Sequence, residues 1–525
     1  MKLLLTSCLG LLFSLALQAQ NLNLSNGLVF DGEPYLAANP DNPQHLVVAW
    51  MGWKFGQGIV IKTRVSFDGG NNWSEAVALP HTSSGFTSAD PSIGFDRDGR
   101  VYIAYVDFSG FDVSPVEGSI FLCKSVDGGL SWGAPVEVLN INADPGKQPI
   151  DRPWMAVDIS EGPHSGNIYI TSMNAKEASG PPYNPYLSIS TDAGESFEPW
   201  RYLDTLGWEA NLVPQPMPTP TVAADGSLHA IYPSWPELTS PAQYLIASSE
   251  DGGNSLSHHL VFSAQPGQSL NEPLAKKGYL LRSDPADANH LLFFYLAKVY
   301  DDADVFMRES FDKGQSWSEA QRINDDPVNN GKMQDLVWAD PDEDGDLAVC
   351  WRDRRNAAGE GYETDSEIWC AIRPKDSAEF LDNFPLSDML VPYDVVLAQS
   401  GNDFMSLQFA NDTLYAVWGD PRSGSLNIWF QRVAIDGLTS AVQLIASEQA
   451  PLYVYPNPAQ TELFVQAEGI EKIRLFNAKG ELMYSSEYAT APREVHLPLA
   501  DLPKGIYLLH CRTAQGLFTQ KVVRK

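Results

Sequence analysis

Ionisable residues recur at two kinds of place in this chain, and their types suit anion capture and proton transfer. Asp90, Asp151, Arg152, Arg282 and Asp335 stand where apolar runs begin. Asp107, the stretch Trp351–Arg352–Asp353–Arg354–Arg355 and the stretch Trp418–Gly–Asp420–Pro–Arg422 stand where the following apolar runs end. A guanidinium grips a carboxylate through two parallel hydrogen bonds, and an aspartate in an apolar setting can keep a proton for transfer. Tyr362 and Glu363, in a long polar connection, put a hydroxyl beside a base.

The elements that must position these groups are repeated. Ser66–Phe–Asp68–Gly–Gly70–Asn–Asn–Trp73 returns as Ser125, Asp127, Gly129, Trp132, then as Ser190, Asp192, Gly194, Phe197. Ser249, Asp251, Gly253, Leu256 and Ser310, Asp312, Gly314, Trp317 follow, at intervals of 59, 65, 59 and 61 residues. An aspartate ahead of glycine makes a tight turn, its carboxylate taking nearby N–H groups while glycine supplies positive φ. Apolar runs flank each phrase, so each joins two antiparallel strands. A second pattern, strand, polar turn, strand, recurs from Tyr35, Pro91, Pro153, Pro220, Tyr279, Leu336 and Met405, which counts seven units. In the sixth unit the place for a box reads Ala371–Ile–Arg–Pro–Lys–Asp376, and in the seventh Val433–Ala–Ile–Asp436–Gly437 is a worn copy.

These phrases are Asp-boxes, and the pattern resembles the bacterial neuraminidase repeat of sialidase-like β-propellers. The resemblance implies an all-β ring of four-stranded antiparallel sheets, usually six-bladed; the seven units counted here make it seven-bladed, a departure, or six-bladed if one unit is an insertion. Such a ring leaves only short, protected edges. The boxes and the first turn of each unit would lie on one side of it. The lead-in to each unit and its second-to-third connection would lie on the other, where side chains can converge on the axis.

What the resemblance implies about chemistry is an exo-α-sialidase type of glycoside hydrolase, or else a non-catalytic propeller that binds glycan or protein. Sialidases hold the substrate carboxylate with three arginines, and Arg152, Arg282 and either Arg354 or Arg422 are the candidates here. By the same likeness Tyr362 would be the nucleophile, Glu363 its base, and Asp90 or Asp151 the acid/base group. There are departures. An Arg-Ile-Pro motif ahead of the first unit is replaced by Glu33–Pro34–Tyr35, and Asp151–Arg152–Pro153–Trp154 echoes it two units late. The repeated Trp-x-Asp-x-Arg phrase points to Asp353/Arg355 and Asp420/Arg422 as pairs that fix loops. For Arg152, function and structure stay equally open.

Composition narrows the partners. Of 525 residues, 14 are Trp, 20 Tyr and 23 Phe, with 40 Gly and 37 Pro between them, a turn-rich β profile. Net charge is −31, and residues 452–525 hold nine Lys/Arg against seven Asp/Glu, which leaves residues 20–451 at −34. Such a surface repels nucleic acid and anionic membranes, and an anionic sugar too unless a local basic pocket overrides the field; a glycan or glycoprotein ligand is what the resemblance implies. No Walker loop, Rossmann fingerprint or Cys/His cluster with zinc spacing is present, so no cofactor is expected. Asp340–Pro–Asp342–Glu–Asp344–Gly345–Asp346 fits half an EF-hand loop, but Trp351 takes the twelfth position and a polar turn is expected instead.

The ends carry their own instructions. Lys2, the apolar run Leu3–Leu17 and Gln18–Ala19 read as a signal peptide over residues 1–19, with no membrane span expected once it is removed. Cys8 would leave with it, and Cys350 and Cys370 are either a disulfide or two buried thiols. Residues 20–450 form the propeller, and after Ala450 the period stops. Tyr455–Pro456–Asn457–Pro458, alternating Leu463 and Val465, Ile473–Asn477, Gly505–Ile506–Tyr507 and the basic end Lys521–Lys525 read as a small β-sandwich over 451–525. This segment resembles the C-terminal sorting domain of type IX secretion cargo in Bacteroidetes-type bacteria. It implies delivery to the outer-membrane surface or the medium, with the type IX machinery as partner of residues 452–525.

Overall fold

The computed structural model describes residues 21–435 and 453–525, apart from 110–116, 175–181, 205–216, 236–242, 265–277, 301, 376, 398–400, 468, 478–481, 489, 501 and 514–515. The signal peptide read at 1–19, Asp376, and Asp436 and Gly437 of the worn box lie outside the described residues. The chain divides into two compact units between Thr439 and Ser440.

The first unit is all-β, and seven four-stranded antiparallel sheets are described in it. The strand nearest the axis in each is Asp31–Asn39, Phe86–Phe95, Asp151–Val157, Thr219–Val222, Tyr279–Ser283, Asp335–Pro341 and Ser406–Ala410. Each of these touches its successor, and the last touches the first, so the ring is closed. Six sheets take four consecutive strands. The seventh borrows its outer strand from the other end of the unit: Leu22 pairs with Phe430 and Asn23 with Trp429. The edge of the seventh sheet is thereby covered by the N-terminal strand.

The Asp-boxes hold neighbouring sheets together. In the first, Asp68 Oδ1 accepts from Ser66 Oγ at 2.9 Å and from Asn72 N at 2.8 Å, and Gly70 N donates to Ser66 Oγ at 2.8 Å. Gly70 has φ of 81°, and a Cβ there would lie 2.4 Å from the Phe430 ring of the preceding sheet. Gly253 meets Ile189 of its preceding sheet at 2.5 Å in the same way. The second glycine of the phrase thus serves both the turn and the close approach of one sheet to the next.

The interior follows from burial on both faces of the middle strands: Leu347–Asp353, the second strand of the sixth sheet, is buried throughout. Trp50, Trp338, Trp351 and Trp418 are fully buried in it. Cys350 and Cys370 are register partners on adjacent strands and are joined as a disulfide.

The second unit has two sheets. One orders Tyr453–Tyr455, Glu462–Gln466 and Glu494–Pro498, and the other Leu482–Glu487, Ile470–Asn477, Gly505–Thr513 and Gly516–Arg524. Leu463, Val465 and Leu497 of the first share a buried core with Ile473, Leu475, Leu509 and Val522 of the second, which makes a β-sandwich.

Candidate functional site

Three inner strands begin with the same irregularity. Pairing shifts register between Gly32 and Tyr35, between Ala89 and Ser92, and between Asp151 and Trp154. At each shift a non-glycine residue takes left-handed backbone: Glu33 at φ 51°, Asp90 at 53° and Arg152 at 51°. Each precedes a proline, Pro34, Pro91 or Pro153, which has no N–H to give to the ladder and so sits at an irregular position of the strand. A bulge re-aims a side chain, and here it sends three ionisable ones toward the axis. Non-glycine residues persist in this conformation only where the surroundings enforce it, and such strain gathers at functional sites. Leu336 repeats the geometry in the sixth sheet with an apolar side chain, at φ 56°.

The three meet. Asp90 is hydrogen-bonded to Glu33 and to Asp151, and burial together with the charge of Glu33 pushes its carboxyl up to about 8, against the pull of Arg152. Arg152 Nη2 donates to Asp403 Oδ2 at 2.5 Å, and its Nη1 lies 3.7 Å from Met217 Sδ. Burial works against the Arg152 charge, but Asp403, Asp90, Asp151 and Glu33 outweigh it and raise its pKa. Beneath the cluster, Tyr35, Trp154, Trp338 and Phe404 stack edge to face and tilted, with ring centroids 5.2 to 6.3 Å apart. Tyr35, Trp154 and Trp338 are the residues at which pairing resumes after the bulges, so one device supplies both the charged mouth and its apolar floor.

The other sequence candidates are engaged elsewhere. Arg282 lies at the far end of the inner strands: Nε donates to Ala339 O at 2.9 Å, stands 3.5 Å from Asp340 Oδ1, and its guanidinium covers the Trp338 ring. Arg354 is buried, donating to Tyr362 O at 2.9 Å, Met333 O at 3.1 Å and Asp335 Oδ1 at 3.0 Å. Arg352 binds both oxygens of the same Asp335. Burial opposes the Asp335 charge, yet Arg352 and Arg354 hold that carboxyl down to about 2. The Tyr362 hydroxyl accepts from Arg352 Nη2 at 2.9 Å and donates to Leu397 O at 3.3 Å. Burial and the Asp335 charge push it up to about 12, while Glu363 is exposed. Arg422 closes on Asp420 and reaches Asp388 at 2.5 Å, and Arg355 closes on Asp353, each below a buried tryptophan whose Nε1 holds the same aspartate.

Structure thus brings Asp90, Asp151 and Arg152 together, sets Arg282 against the Tyr35 and Trp338 rings of the floor, and gives Arg354, Arg422, Tyr362 and Glu363 other surroundings. Two hub residues were missed as candidates in the sequence reading. Glu33 shares the ionisable-residue-then-proline signature with Asp90 and Arg152, which alignment of the units on Pro34, Pro91 and Pro153 would have exposed. Asp403 has no repeated signature. As for cations, Asp342, Asp346 and Asp412 are the group among the described residues whose carboxylate oxygens lie within 4.8 Å of one another. Turn bonding already uses part of them: Asp342 Oδ1 accepts from Asp346 N at 2.9 Å and Asp346 Oδ1 from Lys375 N at 2.7 Å.

A closed ring of four-stranded antiparallel sheets with an ionisable hub makes the first unit a β-propeller. More particularly, residues 453–525 match the family described as the secretion system C-terminal sorting domain. The chain is therefore cargo of type IX secretion, delivered to the cell surface or beyond it, and among the described residues no helix is long and apolar enough to cross a membrane. No curated protein matches the chain. Among solved structures it is similar to the intramolecular trans-sialidase from Ruminococcus gnavus in complex with oseltamivir carboxylate, at 14% identity and TM-score 0.40, over 79% of this chain and 96% of that one. It is also similar to Trypanosoma rangeli sialidase in complex with the inhibitor DANA, at 10% identity and TM-score 0.40, over 96% and 87%. A third is Penicillium chrysogenum alpha-L-arabinanase complexed with arabinobiose, at 13% identity and TM-score 0.41, over 80% and 99%.

Proposed function

We propose that this secreted propeller acts on glycans at its hub, where Asp90 delivers a proton to a glycosidic oxygen. The observation that carries this is the carboxyl pair of Asp90 and Glu33 above an aromatic floor, where burial and the charge of Glu33 push the Asp90 carboxyl up to about 8. A glycosidic bond breaks when its leaving oxygen is protonated while a second carboxylate assists at the sugar, and a carboxyl kept neutral at working pH is the group for the first task. Asp151 and Glu33, both bonded to Asp90, are the carboxylates available for the second. Arg152, oriented by Asp403, keeps a fixed positive charge at the mouth for a sugar oxygen.

An exo-α-sialidase would ask more. Three guanidiniums would have to reach one sugar carboxylate, and Arg282, Arg354 and Arg422 are committed to Asp340, Asp335 and Asp420. The test is turnover of a panel of aryl glycosides that includes a sialoside, by the full chain and by Asp90→Asn and Arg152→Ala. Release from any member, reduced at least a hundredfold by Asp90→Asn, supports the proposal, since a general acid contributes on that order. Binding without product by a folded protein would assign the hub to glycan capture and remove the hydrolase, and release from the sialoside would specify the sialidase form.

A further inference from the structure

We propose that the glycan bound at the hub carries a free amine, its ammonium form being held by a surplus of carboxylates that repels anionic sugars. The proposal rests on the reading of the hub as a glycan site and adds the charge of the ligand.

One guanidinium stands among four carboxylates. Asp90 is bonded to Glu33 and to Asp151, and Arg152, bonded to Asp403 at 2.5 Å, feels the charges of all four. The next cations along the ring do not restore the balance. Arg352 and Arg354 close on Asp335 at the start of the sixth inner strand, so the two groups together set five carboxylates against three guanidiniums. Arg282 is paired with Asp340. Burial and the charge of Glu33 push the Asp90 carboxyl up to about 8, the response of a site whose own cation does not offset its negative charge.

The surplus is within reach of a ligand. Asp90, Asp151, Arg152 and Asp403 are part-exposed, while Glu33 is buried. A carboxylate offers about four acceptor sites, so bonds inside the cluster leave capacity for the three N–H donors of an ammonium. The floor suits the same ligand, because the face of an aromatic ring attracts a cation. Arg282 already uses it so, its guanidinium 5.3 Å from the centroid of the Trp338 ring. At longer range, residues 20–451 carry −34, a field that draws a cationic ligand toward the propeller.

A sugar carboxylate meets the opposite conditions, with repulsion at the mouth and the neighbouring guanidiniums committed. A neutral sugar is admitted but gains nothing from the surplus. An ammonium beside Asp90 also offsets the charge of Glu33, which makes Asp90 the stronger acid toward the leaving oxygen.

The test is calorimetric titration of the full chain, at about pH 6 where such an amine is protonated, with hexaglucosamine, its fully N-acetylated counterpart and 3′-sialyllactose. Hexaglucosamine should bind at least about tenfold more tightly than the N-acetylated form, the worth of one charge-assisted hydrogen bond, and Asp151→Asn and Asp403→Asn should each remove that advantage. Glu75→Gln and Asp98→Asn, which take the same charge from exposed positions, should keep it. The proposal is overturned if the N-acetylated hexamer or sialyllactose binds as tightly as hexaglucosamine. It is overturned equally if the exposed substitutions weaken hexaglucosamine as much as the hub ones, which would make the attraction that of the surface as a whole. Its failure is separate from that of the hub reading: a neutral glycan bound best, and weakened by Arg152→Ala, keeps the glycan site and removes the amine, whereas no binding or turnover of any glycan removes both.

Discussion

The Asp90 carboxyl is hydrogen-bonded to that of Glu33 across the first two inner strands, and both residues hold left-handed backbone ahead of a proline. Neither strand could present its carboxyl this way with regular pairing, since the bulge is what turns the side chain to the axis. One proton is thereby shared where two negative charges would otherwise face each other.

A proton held on Asp90 gives turnover an alkaline limit. Activity should be present below about pH 8 and fall as pH rises through that value, where the acid is lost. Glu33→Gln removes the charge that raises Asp90, so the limit should move to lower pH, as a pH–rate profile would read. Stability moves the same way: a carboxyl raised in the folded state binds its proton more tightly there, so its contribution is greatest at low pH and declines as pH rises from about 4 toward 8.

Asp335 is the single carboxylate for two buried arginines. Asp335→Ala should destabilise the propeller by about 3–5 kcal/mol, the cost of leaving a buried charge unpaired, as measured by thermal or denaturant unfolding. The sign of its pH effect is opposite to that of Asp90. With a folded value of about 2, its contribution is full above the ordinary aspartate range near 4 and is lost as pH falls toward 2.

Gly70→Ala should cost about 1–3 kcal/mol, because its Cβ would enter the Phe430 ring and its φ is 81°. The exposed Asn71 of the same turn is the control, and Asn71→Ala should change the unfolding midpoint far less.

Removing residues 21–24 should lower the unfolding temperature more than any single exposed substitution. It strips the outer strand from the seventh sheet, the Leu24 N to Ile428 O bond of 2.8 Å and the fully buried Leu24 side chain. Leu24→Ala alone should cost about 2–5 kcal/mol.

Much of the architecture was legible in the chain because it is local. A Ser-x-Asp-x-Gly turn needs only its own residues to form, so five copies at nearly equal intervals reveal the repeat without any tertiary information. The Tyr455–Asn457–Pro458 start and basic end of the last domain were equally local, and the sorting function followed from them. The paired aspartate and arginine of each Trp-x-Asp-x-Arg phrase lie two residues apart, within reach of one another in any extended strand.

What tertiary structure decided is everything that depends on which turn of the ring faces which. Arg354 and Arg422 are candidates in sequence for holding a ligand's carboxylate, Arg422 also as the partner of Asp420, but Asp335 occupies the first and Asp388 adds to Asp420 on the second. Glu33 and Asp403 come from the two ends of the propeller and meet at Asp90 and Arg152 because the ring closes with Leu22 and Asn23 on the seventh sheet. Charge pairing across such sequence distances is set by the geometry of closure, to which no short phrase of residues refers.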